Sequence, residues 1–396
     1  MERTWFVADF DFVLKGGKTF KLYIFKNKQM RYGVWAGLTL VVGIAAILIA
    51  IFVTDRSHPF RQATSENGRH NPTQSDGTQG GLTQSDDTQG GRAQGDSISL
   101  VAAKNGRHVI ALQDPTQLDP KLLYLKFDFQ EKTISYTGRV DEYGAGTRLG
   151  QYIDWLNTHL PPLWSDHGTL STLYIPIDLN DGTRLSGVAS MTYFGDDPTA
   201  QICMIPDPWA IERVYFEKGE NDNLAWSDKT DRVIFAGSDS GWNGHRPRYC
   251  RRFQDHRDVA EIYISRWSQG NVVEPAMSHK NMTIEDQLKY KFILSLDGHA
   301  ASWGRISWGF ASKSLVLKAA SNLKLWYYEL MQDGIHYVEV TETNLLECVK
   351  DLLSRPRDCQ AMVRNANTFY HDYLSEEAHI YYWQSLLETW KTCLHE

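Results

Sequence analysis

The chain has 396 residues, 42% hydrophobic and 12% aromatic, and its 48 acidic against 41 basic side chains give a formal net charge of −7. These proportions exclude a wholly disordered chain, a small disulfide scaffold and a polybasic nucleic-acid binder. Cys203, Cys250, Cys348, Cys359 and Cys393 show neither CxxC nor Cys/His spacing for zinc, so no metal site is expected from them.

Residues 1–33 carry Lys15, Lys18, Lys21, Lys26, Lys28 and Arg31 ahead of VWAGLTLVVGIAAILIAIFV, the 20 uncharged residues from Val34 to Val53. At a rise of about 1.5 Å per residue this run spans roughly 30 Å of hydrocarbon, which predicts one transmembrane helix. An uncleaved anchor fits better than a signal peptide, whose apolar part runs only about 7 to 15 residues. The basic flank places 1–33 in the cytosol and the large C-terminal part in the lumen of the Golgi or endoplasmic reticulum. Residues 54–99 repeat TQSDGTQGG as TQSDDTQGG and hold few large apolar side chains, which predicts a disordered stalk.

From about Leu100 the pattern turns to short apolar runs separated by turn signals. Leu173–Leu179, Arg232–Ser238, Lys291–Gly298 and Ser314–Ala319 read as buried strands, and Gly146–His159, Asn344–Leu353, Asp358–Tyr373 and Ser375–Cys393 as helices. Strands interleaved with helices define an α/β protein. Because single cores stop growing at about 250 to 300 residues, two lobes are expected, 100–230 and 231–396.

Ligands in such folds gather at the carboxyl ends of the strands, and three of those ends hold suitable chemistry. IFAGSDSGWNGHRPRY ends a strand with Gly237, Ser238 and Ser240 and follows with Arg246 and Arg248; glycines permit close backbone approach, and hydroxyls and guanidinium forks suit phosphate oxygens. It fits neither GxxxxGK[ST] nor GxGxxG, and a plain turn with solvated arginines is the competing reading. The second end, LDGHAASWGR, passes through Ala301, Ser302 and Trp303 into a helix carrying Arg305, where helix amides and a guanidinium can meet a phosphate. In the third, IPIDLNDG, Asp178 and Asp181 stand where a carboxylate can take a proton from an attacking hydroxyl, or merely form a turn.

In this order FAGSDSGWNGHRPRY, LKYKFILSLDGHAASWGRISW, SLVLK and LWYYELMQDGIHYVEV resemble glycosyltransferase family 90, which includes protein O-glucosyltransferases, capsule-associated proteins and lipopolysaccharide-modifying enzymes. The resemblance covers roughly 166–390. It implies a GT-B-type fold of two Rossmann-like lobes, a UDP-sugar held mainly by the C-terminal lobe, and inverting, metal-independent transfer of glucose or xylose to a glycan, protein or lipid-linked hydroxyl. It implies a base in the N-terminal lobe, Asp181 first and Asp178 second, and donor contacts from Gly237, Ser238, Ser240, Arg246, Arg248, Ala301, Ser302, Trp303 and Arg305. The sequence departs from the family where Ala236 and Asp239 replace an arginine beside Gly237-Ser238, where Gly304 precedes Arg305, and where no acid occurs from Asn322 to Leu325. A non-catalytic, membrane-tethered glycan-binding relative is the alternative those departures raise.

Overall fold

The computed structural model describes residues 6–13, 19–26, 87–140, 148–164, 170–180, 185–191, 193–194, 201–206, 213–241, 244–266 and 279–394. The expected membrane span at 34–53 lies outside the described residues; among those described, no helix is long and apolar enough to cross a membrane. The chain divides into two units, 1–81 and 82–396. In the first, β1 (Phe6–Val13) and β2 (Thr19–Lys26) pair antiparallel, with Phe6 opposite Lys26 and Val13 opposite Thr19.

The second unit opens with α1 (Asp87–Gly106), which starts within the stretch expected to be stalk up to Ser99. Ile98, Val101, Ala102 and Asn105, spaced at i, i+3, i+4 and i+7, are all buried. That short stripe at the stalk's edge is what turns a polar stretch into a packed helix.

The first lobe follows with β3 (Leu123–Asp128), β4 (Thr133–Gly138), α2 (Arg148–His159), β5 (Thr172–Asp178), β6 (Ala189–Ser190), β7 (Tyr193–Phe194) and β8 (Cys203–Met204). Its sheet runs in the order β4-β3-β5-β6-β8. The strands β5, β6 and β8 are parallel, but β3 is antiparallel to both its neighbours. This lobe's sheet is therefore mixed, a parallel part carrying an antiparallel edge pair. Residues 129–132 between β3 and β4 are too few for a parallel crossover, which takes about a dozen, and they fix the pair as a hairpin.

The remaining elements are α3 (Arg213–Glu220), β9 (Thr230–Ser238), α4 (His245–Phe253), β10 (Ala260–Arg266), α5 (Ile284–Gln287), β11 (Tyr290–Ser295), α6 (Trp303–Phe310), β12 (Leu315–Ala319), β13 (Leu323–Lys324), β14 (Val338–Val340), α7 (Leu345–Ser354), α8 (Pro356–Phe369) and α9 (Glu376–Cys393). The order β10-β9-β11-β12-β14 is parallel throughout. Both faces are covered, as parallel sheets require: Val233 and Phe235 pack with Tyr249, Phe253 and Val349, while Ile234 and Ala236 pack with Leu288 and Trp308. After β9 the chain adds β10 on one side and then β11 on the other, so the topological switch point lies between β9 and β11.

Two connections make the lobes one body. Three residues past the end of β6, β7 pairs antiparallel with β13, which begins just after the end of β12. The carboxyl ends of the two sheets are thereby tied to one another. In addition α9 returns to the first lobe. Its Trp383 packs 6.4 Å from Phe127 and 5.7 Å from Tyr152 between ring centroids, the Tyr382 hydroxyl donates to Met204 O at 2.7 Å, and Trp390 Nε1 donates to Gly106 O at 3.0 Å. From the second lobe Trp326 stacks on Tyr382 at 4.1 Å.

His379, only 1% exposed on α9, bonds through Nδ1 to Ser375 O at 2.7 Å. A carbonyl only accepts, so Nδ1 carries a proton. Burial pushes its pKa down to about 4. Below about pH 6.5 the unfolded chain binds the proton that the folded chain refuses, so stability is full above that value and falls as pH drops toward 4, by about 3 kcal/mol at most from this group. Denaturant titrations from pH 7 to 4 should show that decline, and His379→Gln should flatten it.

Candidate functional site

The strand ends at the switch point form a crevice. β9 ends in Gly237-Ser238, and the chain leaves β11 through Leu296 to Asp297-Gly298. Gly241, at φ 146°, comes so close to Gly298 that a Cβ on it would lie 3.4 Å from the Gly298 Cα. Only glycine combines that backbone angle with that approach.

Arg246, in the first turn of α4, binds both strand ends. Its Nε donates to Leu296 O and Asp297 O at 3.3 and 3.2 Å and its Nη2 to Leu296 O at 3.0 Å, while Nη1 reaches Ser238 O at 3.3 Å and the Ser238 and Ser240 hydroxyls, both at 3.1 Å. Arg305, in α6, donates from Nη1 to Gln287 Oε1 at 2.6 Å and from Nη2 to Ala236 O at 2.9 Å. Its guanidinium lies 4.6 Å from the Phe235 ring centroid and 5.3 Å from that of Trp308. A Cβ on Gly237 would sit 2.8 Å from Phe235 Cζ and 3.5 Å from Arg305 Nη2, so glycine there makes room for the Phe235 ring on which the guanidinium lies.

The acceptors of both arginines in these bonds are neutral: carbonyls, hydroxyls and one amide. Elsewhere arginines meet carboxylates, as in Arg232 with Glu261 at 2.8 Å and Arg355 with Asp351 and Asp358. Burial lowers the Arg246 pKa to about 10, partly offset by the charges of Asp297 and Asp239. Burial, and then the charge of Arg246, bring Arg305 down to about 9. Both stay cationic at neutral pH; Asp297 and Asp239 offset part of the Arg246 charge, whereas the charge acting on Arg305 is that of Arg246.

Asp297 organises the loop behind them. Its Oδ1 accepts the Ser302 amide at 2.7 Å. Its buried Oδ2 has no hydrogen bond and lies 3.9 Å from Nζ of the buried Lys318. Ser302 gives α6 no side-chain cap, so the helix start is held by Asp297.

The expected site residues therefore separate. Gly237, Ser238, Ser240, Arg246 and Arg305 come together at the switch point. Ala301 is 2% exposed and Trp303 packs on the first-lobe core, so these two shape the α6 entrance from behind. Arg248 is exposed and paired with Glu342 at 3.1 Å, which directs it away from a phosphate role. Asp178, buried at the end of β5, accepts from the amide and side chain of Asn180, both at 2.9 Å, in an Asx turn. Asp181 lies outside the described residues. Sequence reasoning did not single out Gln287, Lys318 or Phe235; nothing in TIEDQL or VIFAGS marks a side chain that works through an arginine distant in sequence.

Residues 200–395 match the glycosyl transferase family 90 profile. O-glucosyltransferase LpsA of Dichelobacter nodosus is 27% identical over 171 residues, 42% of this chain and 50% of that protein. Uncharacterized protein 035R of Invertebrate iridescent virus 3 is 27% identical over 174 residues, 39% of this chain and 16% of its own length. The chain thus spans half or less of these curated relatives. A crystal structure of Anabaena Alr3699/HepE in complex with UDP-glucose aligns over 50% of this chain and 59% of its own with 10% identity and a TM-score of 0.32, too low to define a shared fold.

Since Arg246 makes six hydrogen bonds that span the carboxyl ends of β9 and β11, Arg246→Ala should lower the unfolding free energy by about 2 to 4 kcal/mol. Arg248→Ala, which removes an exposed pair, should cost less than about 1 kcal/mol. Urea denaturation of the two variants checks the difference.

Proposed function

We propose that this protein is a membrane-anchored glycosyltransferase of the GT-B type that moves glucose or xylose from a UDP-sugar to a hydroxyl of a glycan, protein or lipid-linked acceptor. The observation that carries the reading is the pair Arg246 and Arg305, held at the switch point by neutral acceptors and so available to a diphosphate. The family 90 match and the name of the LpsA relative, an O-glucosyltransferase, support the same reaction class.

In this reading Asp181 takes the proton of the acceptor hydroxyl, with Asp178 the second choice. The acceptor oxygen forms a bond to the anomeric carbon from the face opposite the nucleotide, the bond to the diphosphate oxygen breaks, and its electron pair leaves with UDP. The anomeric centre inverts in one displacement. Charge accumulates on the departing diphosphate, where a preorganised donor is worth about 3 to 4 kcal/mol. The arginines supply that stabilisation without a metal. The tie between β7 and β13 sets the carboxyl end of the first sheet, where Asp178 stands, on the same side as the donor crevice, as transfer between lobes requires.

The uncharged run at 34–53 is the proposed anchor, with 1–33 cytosolic and the lobes lumenal. Asn281 is exposed in an Asn-Met-Thr sequon and reports on this orientation. Protein expressed in cells should lose mass on endoglycosidase treatment, and Asn281→Gln should abolish that loss; an untouched Asn281 with the lobes open to protease outside sealed microsomes would reverse the topology.

Incubation with UDP-glucose, UDP-xylose and a panel of acceptors should release UDP, with no loss on addition of EDTA. Asp181→Asn should lower turnover by about 10² to 10⁴ and leave donor affinity nearly intact, because its contribution falls in the transition state. Nucleotide binding without any turnover would instead identify the non-catalytic relative, and absence of nucleotide binding would remove the reading altogether.

A further inference from the structure

Gln287 is 3% exposed and has no place in the reaction just described. It closes the one-turn helix α5, whose start is fixed by a capping box between Thr283 and Asp286. Its Oε1 accepts from two groups, Arg305 Nη1 at 2.6 Å and the Ala236 amide at 3.2 Å, and its Nε2 donates to Thr283 O at 3.4 Å. Arg305 returns the contact by donating to Ala236 O. The amide, the guanidinium and both polar groups of one β9 residue thus form a closed ring at the strand end.

The identity of this side chain is chemically pointed. A glutamate has the same reach and would form a stronger, charge-assisted bond to the guanidinium. Its carboxylate would also cancel the charge of Arg305. A neutral amide fixes the guanidinium without cancelling it.

We propose that Gln287 is a positioning residue for the anion site: it holds Arg305 beside Gly237 in a fixed geometry while leaving the guanidinium charge free for a diphosphate. This rests on the donor-site reading above and adds the residue that keeps that site both ordered and uncompensated. A purely structural role predicts that affinity follows stability. A positioning role predicts that the two separate, because Gln287→Glu strengthens the bond to Arg305 and removes its field.

The test titrates inorganic pyrophosphate and UDP into the wild-type protein, Gln287→Glu and Gln287→Met, with melting temperature measured on the same samples. Gln287→Glu should melt no lower than wild type yet bind both anions at least about tenfold more weakly, the scale of one charge-assisted contact. Gln287→Met keeps the volume and removes the acceptor; it should melt lower and lose affinity severalfold. Unchanged anion affinity in a folded Gln287→Glu protein overturns the proposal, as does a loss of affinity matched by an equal loss of stability in both variants. If wild type binds pyrophosphate but not UDP and the variants lose the pyrophosphate, the positioning role stands and the nucleotide reading falls. If wild type binds neither, the crevice is not an anion site and both are overturned.

Discussion

The guanidinium of Arg246 joins the carboxyl ends of β9 and β11, and the shape of the crevice follows from that set of bonds. A parallel sheet diverges at its switch point because successive connections leave in opposite directions. Here the divergence is bridged by one fork-shaped donor reaching Ser238 on one side and Leu296 and Asp297 on the other. Gly298 lies close against the same bridge, since a Cβ on it would fall 3.1 Å from Arg246 Nη2. Arg305 then enters beside Gly237, and its guanidinium, like that of Arg246, lies over the Phe235 ring. The charge of Arg246 makes burial of the Arg305 cation more costly, a cost that an anion beside the pair would relieve.

A crevice of this kind functions only if the lobes keep their relation. The structure secures it with a small ladder at the carboxyl edge and with a helix contributed by the far end of the chain. Without α9, the first lobe would expose Phe127 and Tyr152, and Asn105 would lose the Tyr382 hydroxyl it donates to at 3.0 Å. The first lobe is in this sense completed by both ends of the second unit. α1 lies against the same helix, which is why an apparently featureless polar segment folds as it approaches Ile98.

Much of this was legible in the sequence, and what was missed has identifiable causes. The strands β5, β9, β11 and β12 announce themselves as apolar runs, the first three ended by Asp or Gly, and α7, α8 and α9 follow from period, with Pro356 at the start of α8 and Ser375 at that of α9. The β3–β4 hairpin was not anticipated because β4 is a largely exposed edge strand, TISYTG, with one buried residue. α1 was overlooked because low-complexity composition outweighed a stripe of four positions. At the site, residue types were readable but their partners were not. Arg246, Arg248 and Arg305 look alike in a sequence; what separates them is that Arg248 meets Glu342, while the other two meet carbonyls, hydroxyls and Gln287. The replacement of an arginine by Ala236 also changes meaning in three dimensions. Arg305 donates to the carbonyl of that alanine and sits next to Gly237, so positive charge is present at the strand end although the last residues of the strand carry none.

The central claim is that the two arginines at the switch point serve a diphosphate, and comparing UDP with uridine tests it most directly. Both ligands share the base and ribose, so their difference isolates the phosphate contacts. Isothermal titration of the wild-type protein and Arg305→Ala at matched ionic strength should show wild type binding UDP at least about 100-fold more tightly than uridine, with the variant losing about 10- to 100-fold in UDP affinity and nothing in uridine affinity. Equal affinities for UDP and uridine in wild type, or a variant that loses both alike, would contradict the account.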